Sequence, residues 1–418
     1  MAPSLSETHR QQLAITFVAV TRLSSLVVFG TAMAVYIGRE ATPFAVALAL
    51  TAYHLGSLLF APVWGAIADV TGRRRGVLLV TTVLASLSVL PLVFVQSVPF
   101  QIGIRGVYAV FAAGYAPAML AIVSEQKTTA ERGRAVGFYN SVVSVGGIGG
   151  RVLVGVLLGL LLPQSLYLVV AAMSFVSAFA VLGLTDPTPT PDRTLTRREL
   201  GEEIRARLLP GLDELDHVRA NGLQWLYLAL ILRNITQKGI GSVLPVFLTA
   251  AAGVGVGVDE FTMGLLLAVS PALRTVLMYA FGAVTDRIGR KPLITGGLVG
   301  AGLQALLLAA AVIPGGITTR IAVAGLGFVV HAVTFSALST GTIAFIGDVA
   351  HPERESELMG LRTTTRGIGG VIGPIIVGSL ATVWSYQHAF VLASALGFVA
   401  AAVVAGAVVE SHAGATPA

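Results

Sequence analysis

Basic residues lie inside the apolar runs of this sequence, where charges are rare. The Asp and Glu residues, in contrast, lie in polar segments or at the ends of these runs. A charge at the centre of a membrane-spanning helix costs about 2.5–3.5 kcal/mol, so these cations need a partner. An anion bound in a water-filled cavity is the simplest one. The basic residues within the runs are Arg22, Arg105, Arg151, Arg233, Lys238, Arg274, Arg362 and Arg366.

Five of these arginines are the main candidates for substrate binding. Arg22 and Arg233 each lie about ten residues into an apolar run, which is roughly 15 Å and close to the midplane of a bilayer. Arg274 lies near the middle of another run, and Arg362 and Arg366 share one helix face at spacing i,i+4. We expect Arg22 and Arg233 to clamp an anion. The alternative is that they bond to carbonyl groups and organise helix ends.

Uncharged polar residues within the runs are further candidates. We expect Tyr36, Tyr53, Asn140 and Gln237 to line the same path. His54 and His331 are candidate carriers of a coupling proton, because histidine ordinarily titrates near physiological pH. The alternative is that each is a hydrogen-bonded structural residue, and that coupling occurs by exchange with a counter-anion.

The composition identifies the class of protein. Of the 418 residues, 55% are hydrophobic and 11% are charged, whereas soluble domains carry about 25% charged residues. The sequence has no cysteine, which excludes disulfides and thiolate metal sites. We therefore expect an all-α membrane protein with twelve transmembrane helices. The expected spans are 12–37, 43–66, 76–95, 100–123, 134–160, 163–184, 223–250, 261–284, 292–313, 319–346, 357–383 and 386–409.

One long polar segment divides the spans into two groups of six. The expected organisation is an N-terminus at 1–11, a six-helix bundle at 12–184, a linker at 185–222, a second six-helix bundle at 223–409 and a tail at 410–418. Within the linker, Thr196 and Glu199 have the spacing of a helix capping box, and Arg198 and Glu202 that of an i,i+4 ion pair.

The distribution of basic residues in the short loops predicts the orientation. These residues follow the second, fourth and eighth spans, and such loops face the cytoplasm. We expect a multi-pass protein of the cell membrane with both termini and the linker in the cytoplasm. The basic loop residues are Arg73, Arg74, Arg75, Lys127, Arg132, Arg134, Arg287, Arg290 and Lys291.

The two halves of the sequence are related to each other. Gly65, Asp69, Gly72 and Arg73 recur 217 residues later as Gly282, Asp286, Gly289 and Arg290, and Arg22 matches Arg233. The glycine pattern of the fifth span recurs in the eleventh, where Gly146 and Gly150 match Gly369 and Gly373. A duplicated six-helix unit of this kind is typical of secondary transporters, whose substrate site lies near the midplane.

The segments Gly65–Arg75 and Gly282–Lys291 resemble motif A of the major facilitator superfamily (MFS). Arg105 is similar to the motif B arginine of that family, and Gly373-Pro374 to its glycine-rich eleventh span. The resemblance covers the whole chain and implies two pseudo-symmetric bundles that alternate access to a central site. Two departures are Val70-Thr71, where motif A carries a basic residue, and Arg151, where drug–proton antiporters carry a proline.

The resemblance also implies roles for the motif residues. Those of motif A gate the cytoplasmic side, where Asp69 would meet the positive N-terminus of a neighbouring helix. They are Gly65, Asp69, Gly72, Arg73 and Arg74 in the first copy, and Gly282, Asp286, Arg287, Gly289 and Arg290 in the second. We expect Gly146, Gly150, Gly373 and Pro374 to serve close helix packing rather than phosphate binding.

These features together predict a secondary active transporter for a small organic anion, either a phosphate ester or a carboxylate. The alternative is a proton-coupled multidrug efflux transporter of the same superfamily. We expect no enzymatic activity, cofactor, metal or nucleic-acid partner. The expected partners are the small-molecule substrate, a coupling proton or counter-anion and the lipid bilayer, and we expect the protein to be a monomer.

The histidine hypothesis gives a direct prediction. If His54 or His331 carries the coupling proton, replacing that residue by glutamine removes the dependence of transport on a pH gradient, because glutamine does not titrate. Uptake into vesicles with and without a pH gradient measures this dependence. Unchanged dependence in both variants would reject histidine coupling.

Overall fold

The computed structural model describes residues 5–124, 129–186, 196, 198–199, 201–202, 205, 221–351 and 354–411. Outside the linker these residues form thirteen α-helices and no strand. The helices are α1 (Leu5–Glu40), α2 (Pro43–Thr71), α3 (Arg74–Val89), α4 (Val98–Ala112), α5 (Tyr115–Ser124), α6 (Thr129–Leu160), α7 (Pro163–Val181), α8 (Leu223–Thr249), α9 (Glu260–Ile288), α10 (Arg290–Ala310), α11 (Ile317–Val349), α12 (Glu355–Val383) and α13 (Tyr386–Ala407).

Eleven segments of the described chain are long and apolar enough to cross a membrane. The expected seventh span, α8, is not one of them. Its 27 residues extend about 40 Å, which is sufficient length, but Arg233, Asn234, Gln237 and Lys238 make its middle polar. The helix that carries a main candidate arginine is therefore less apolar than a lipid-facing span.

The expected fourth span consists of two helices, α4 and α5, which together cover Val98–Ser124. Pro117 has no amide hydrogen for the carbonyl of Ala113, and this interrupts the helix ladder. At the break, a Cβ on Gly114 would lie 3.1 Å from the Trp64 ring, so glycine allows α2 to approach closely.

The described residues form two compact units. The first comprises those of Met1–Ala32 and Ala52–Leu212. Its core includes Val18, Leu78, Met119, Val142 and Val181 from five different helices. Close packing of α1 and α6 depends on small residues, since a Cβ on Gly150 would lie 2.9 Å from Ser24 Cα and one on Gly146 3.0 Å from Val20 Cα.

The second unit comprises the described residues of Met33–Thr51 and Asp213–Ala418. Its core includes Leu226, Leu298, Phe345, Leu358 and Val404, which come from α8 and α10–α13. The helices α8 and α12 pack closely at Gly373, the neighbour of Pro374, where a Cβ would lie 2.9 Å from the Gly239 amide nitrogen. This unit thus includes the end of α1 and the start of α2 as well as the later helices.

Acidic residues that follow α7 and α13 cap the start of α3 and α10. Asp186 accepts a hydrogen bond from the Arg75 amide at 2.9 Å. Glu410 accepts from the amides of Arg290 and Lys291, both at 3.0 Å. A carboxylate at a helix N-terminus satisfies free N–H groups and the helix dipole. Sequence reasoning did not identify this repeated device.

The described part of the linker contains the expected local contacts. The Thr196 amide donates to Glu199 Oε2 at 2.8 Å, and the Glu199 amide donates back to the Thr196 hydroxyl at 3.3 Å. Arg198 and Glu202 form an ion pair at 3.0 Å. The capping box and the i,i+4 pair are therefore confirmed.

The Glu410 cap predicts a change in stability. Glu410→Ala leaves two amides of α10 without their acceptor, which costs about 1 kcal/mol and lowers the unfolding temperature. Thermal unfolding of the detergent-solubilised protein measures the change, with Glu40→Ala as the control because Glu40 is an exposed carboxylate. Equal unfolding temperatures for the two variants would contradict the capping role.

Candidate functional site

Arg22 is buried in the first unit and bonded to an aromatic residue. Its Nη1 donates to the Tyr108 hydroxyl at 2.7 Å, and its guanidinium carbon lies 5.2 Å from the Tyr108 ring and 5.9 Å from the Tyr115 ring. Only 2% of the residue is exposed. Cation–π contacts and one charge-assisted hydrogen bond therefore stabilise a charge deep in this unit.

Arg105 lies beside Arg22 and shares Tyr108 with it. The guanidinium carbon of Arg105 lies 4.6 Å from the ring of Phe29, 4.6 Å from that of Tyr53 and 5.4 Å from that of Tyr108. Its Nη1 is buried and has no hydrogen-bond partner among the described residues. Gly30 provides the space, because a Cβ there would lie 2.8 Å from Arg105 Nη2.

The structure thus brings two separately predicted arginines together in one aromatic cluster. Sequence reasoning missed Tyr108 and Phe29, since a Tyr or Phe in an apolar run gives no signal beyond hydrophobicity. Tyr53 also contacts His54, at 5.4 Å between ring centroids. Tyr53 therefore links the predicted proton-carrier candidate His54 to the Arg105 cluster.

The other candidates of the first six spans lie elsewhere. Asn140 is exposed on α6. Arg151 donates to the carbonyl of Gly147 in its own helix at 2.7 Å. Tyr36 belongs to the second unit, where its ring lies 5.6 Å from the Arg39 guanidinium carbon.

The second unit contains a pocket lined by three of the predicted arginines. Arg233 from α8 and Arg362 and Arg366 from α12 surround a cavity of about 20 Å³, which is room for about one water molecule. Ser339 and Thr342 of α11 complete the polar part of the wall together with Asn234 and Thr365, and Phe335, Leu230 and Leu338 form its apolar part. We call this the arginine pocket.

Hydrogen bonds fix the orientation of the arginine pocket's side chains. Arg233 Nη1 donates to Asn234 Oδ1 at 3.2 Å, and Asn234 Nδ2 donates to the Thr365 hydroxyl at 3.3 Å. Arg362 Nη2 donates to the Ser339 hydroxyl at 3.0 Å. All of these partners are neutral, so the hydrogen bonds orient the guanidinium groups without neutralising them.

Phe335 is the common contact of two cations. The guanidinium carbon of Arg274 lies 4.1 Å from its ring centroid and that of Arg233 lies 5.3 Å away. His331, one turn earlier on α11, has its ring 6.0 Å from the same ring. Phe335, which sequence reasoning missed, therefore joins Arg274 and His331 to the arginine pocket.

The arginine pocket concentrates positive charge. None of the described residues that line it is Asp or Glu. Arg233 is 8% exposed, and its Nε has no hydrogen-bond partner in the described part of the chain. Like charges repel most strongly where the dielectric constant is low, so this arrangement favours a bound anion. Gln237, also predicted, donates to Gln304 Oε1 at 2.8 Å.

The first copy of motif A forms a tight charged turn. Gly72 has a φ of 63°, which favours glycine, and it lets the chain reverse between α2 and α3. Asp69 forms an ion pair with Arg74 at 3.3 Å, while Arg73 is exposed. A Cβ on Gly65 would lie 3.6 Å from Pro117, an ordinary contact.

The second copy has the same turn with different charge contacts. Gly289 has a φ of 96°. Arg290 forms an ion pair with Asp348 of α11 at 2.9 Å and donates to the Thr285 carbonyl at 2.8 Å. Arg287 is exposed, and Gly282 has open space around it. The side chain of Asp286 lies outside the described residues.

Residues 15–330 and 226–417 match the Major Facilitator Superfamily. The chain belongs to this superfamily. It is 22% identical over 364 residues to the multi-drug resistance efflux pump PmrA of Streptococcus pneumoniae, covering 85% of this chain and 84% of the pump. It is 30% identical over 189 residues to the class E tetracycline resistance protein of Escherichia coli, covering 44% of each chain.

Solved structures share the MFS fold. A bacterial homologue of the human lysosomal transporter Spinster, inward-facing and occupied, aligns with a TM-score of 0.77 at 15% identity and 97% coverage of both chains. The nucleoside transporter NupG aligns with a TM-score of 0.76 at 13% identity, covering 94% of this chain and 98% of NupG. The protein is therefore a multi-pass membrane transporter of the MFS.

The Arg22 contact predicts unequal effects of two tyrosine substitutions. Tyr108→Phe removes the acceptor of a charged donor, which costs about 1.5–3 kcal/mol. Tyr167→Phe, the control, removes a neutral bond to Gln101 at 2.8 Å and costs about 0.5–1.5 kcal/mol. Thermal unfolding in detergent compares them. A Tyr108→Phe protein as stable as the Tyr167→Phe protein would refute the charged role of this bond.

Proposed function

We propose that this MFS transporter carries a small organic anion, either a phosphate ester or a carboxylate. The arginine pocket is the observation that carries the proposal. Three arginines line it, a fourth contacts its Phe335, and no described lining residue is acidic. The planar guanidinium group donates two parallel hydrogen bonds to a carboxylate or phosphate, so an anion supplies both the missing charge and the missing acceptors.

Arg233 has the principal role in this proposal. It is the most deeply enclosed of the pocket's arginines, and its Nε remains available as a donor. Arg362 and Arg366 are more exposed and attract the anion, while Arg274 adds charge across Phe335. The neutral partners Asn234 and Ser339 hold two guanidinium groups in orientation before the substrate arrives.

The Arg22 and Arg105 cluster is proposed to have the same chemistry in the first unit. Its charges contact aromatic rings and a hydroxyl, and Arg105 Nη1 retains a free donor. The alternative, that these arginines are structural, predicts no change in anion recognition on their substitution. For coupling, we propose a proton carried by His54 or His331, or exchange with a counter-anion.

Multidrug efflux is the second candidate, and the similarity to PmrA and to the tetracycline resistance protein supports it. The two proposals differ in the charge of the cargo. A cationic pocket repels a lipophilic cation, whereas it attracts an amphiphilic anion. An exporter of anionic drugs would satisfy both the arginine pocket and the relatives. We also propose that the protein resides in the cell membrane with its termini in the cytoplasm, as the basic loops indicate.

The anion proposal predicts a ligand-dependent shift in stability. A ligand at 100 times its dissociation constant stabilises the folded protein by about 2.7 kcal/mol. We expect some members of a panel of phosphate esters and carboxylates to raise the unfolding temperature. Arg233→Ala should lower their affinity about 10- to 100-fold, because a charge-assisted bond contributes about 1.5–3 kcal/mol.

The control for this experiment is Arg132→Ala, which removes one positive charge from an exposed position at the start of α6. It should leave the anion-induced shift unchanged. Lipophilic cations form the competing arm of the panel. Stabilisation by cations alone, unaffected by Arg233→Ala, would overturn the anion proposal and favour multidrug efflux.

A further inference from the structure

The segment that joins α1 to α2 packs against later helices of the chain. Residues 33–51 belong to the second unit, although they lie within the first six spans. They are the last turns of α1 and the first turns of α2, and we call them the hairpin. The hairpin contacts α8, α9 and α12. The helices α2 and α9 both begin at this end and finish at a motif A turn, so the hairpin lies at the opposite end of these two helices from the motif A turns.

An ion pair joins the hairpin to α9. Arg39 Nη2 lies 2.7 Å from Glu260 Oε1. Arg39 is in the last turn of α1 and Glu260 in the first turn of α9, so each charge complements the dipole of its own helix. Arg39 also lies against the Tyr36 ring, at 5.6 Å. The two helix dipoles and the Tyr36 ring thus add to the attraction between Arg39 and Glu260.

The start of α9 is held in place next to Glu260. Asp259 caps the helix by accepting from the Thr262 amide at 3.0 Å and from its hydroxyl at 2.7 Å. These hydrogen bonds keep the pKa of Asp259 below its ordinary value, so the capping carboxylate stays ionised to a lower pH than an unbonded aspartate. Glu260 therefore projects from a fixed helix end.

Close contacts at two glycines accompany the ion pair. A Cβ on Gly38 would lie 2.8 Å from Val246 Cγ1 of α8, and one on Gly378 of α12 would lie 3.3 Å from Phe44 Cα. The Phe44 amide donates to the Thr382 hydroxyl of α12 at 2.8 Å. These contacts close the hairpin against α8 and α12 and leave no room for larger residues at the two glycines.

Water reaches the ion pair from a neighbouring cavity. The cavity has a volume of about 540 Å³, and its walls include both Arg39 and Glu260 together with Val35 and Trp384. Half of the Arg39 side chain is exposed. A solvent-screened pair of this kind is weak enough to break repeatedly, unlike a pair buried in the interior.

We propose that the Arg39–Glu260 pair is a latch that holds the hairpin closed at this end of the protein, and that the latch opens during each transport cycle. The two glycines make the closed contact tight, and the wet ion pair makes it reversible. The inference requires a transporter that alternates access, and it is independent of the charge of the substrate. With the motif A turns in the cytoplasm, the latch lies on the outer side.

The absence of cysteine from the sequence makes the latch testable without removal of native thiols. Val46 lies in the hairpin and is buried, so Val46→Cys introduces a single reporter thiol in a place that a smaller residue fits. The rate at which a membrane-impermeant maleimide labels this thiol in intact cells measures opening of the hairpin. Added in this background, Arg39→Glu places two like charges together and should accelerate labelling about fivefold.

Two further variants make the result specific. The exchange Arg39→Glu with Glu260→Arg restores opposite charges and should return labelling to the slow rate. Glu40→Gln, which changes the exposed neighbouring carboxylate, should leave the rate unchanged. Labelling of Arg39→Glu at the unmodified rate, or fast labelling that persists in the exchanged pair, would overturn the latch. Neither outcome depends on which ligands raise the unfolding temperature of the protein in the test of the anion proposal.

Discussion

Positive charge in an apolar interior is the constraint on which the rest of this protein depends. A buried guanidinium group loses much of its hydration, and the surrounding structure must compensate for the loss. The first unit compensates with aromatic rings and the Tyr108 hydroxyl around Arg22 and Arg105. In the second unit, neutral groups likewise orient Arg233 and Arg362 and leave their charge in place. Three arginines meet there around one pocket, which is why we propose the second unit as the anion site.

The ends of the helices use charge in the opposite way. There acids match cations in the pairs Asp69–Arg74 and Arg290–Asp348, and Asp186 and Glu410 accept hydrogen bonds from backbone amides at helix N-termini. The pair Arg39–Glu260 follows the same pattern at the other end of α9. The carboxylates of these ion pairs are partly exposed, so water screens the pairs and weakens them. Unmatched charge thus lies inside the units, and matched charge lies at the helix ends.

Small residues allow both the rigid and the mobile contacts. Gly150 and Gly373 bring helices of the same unit together within its core, where the contact is extensive and apolar. Gly38 and Gly378 make similarly close contacts at the hairpin, next to a cavity and a solvated ion pair. In a membrane the hydrophobic effect does not drive helices together, so close packing of small residues is a main source of association. The surroundings of each glycine then decide how readily its contact separates.

The sequence by itself determined the family, the helical membrane fold, the positions of most spans and the identity of the unmatched arginines, because hydropathy, spacing and residue type are local properties. The tertiary structure decided which residues meet. It placed Arg105 with Arg22 through Tyr108, and Arg274 with Arg233 through Phe335, and it placed Tyr36 with Arg39 rather than with the arginine pocket. Aromatic partners carry no distinctive signal in an apolar run, and contacts between distant helices depend on packing that no local pattern specifies.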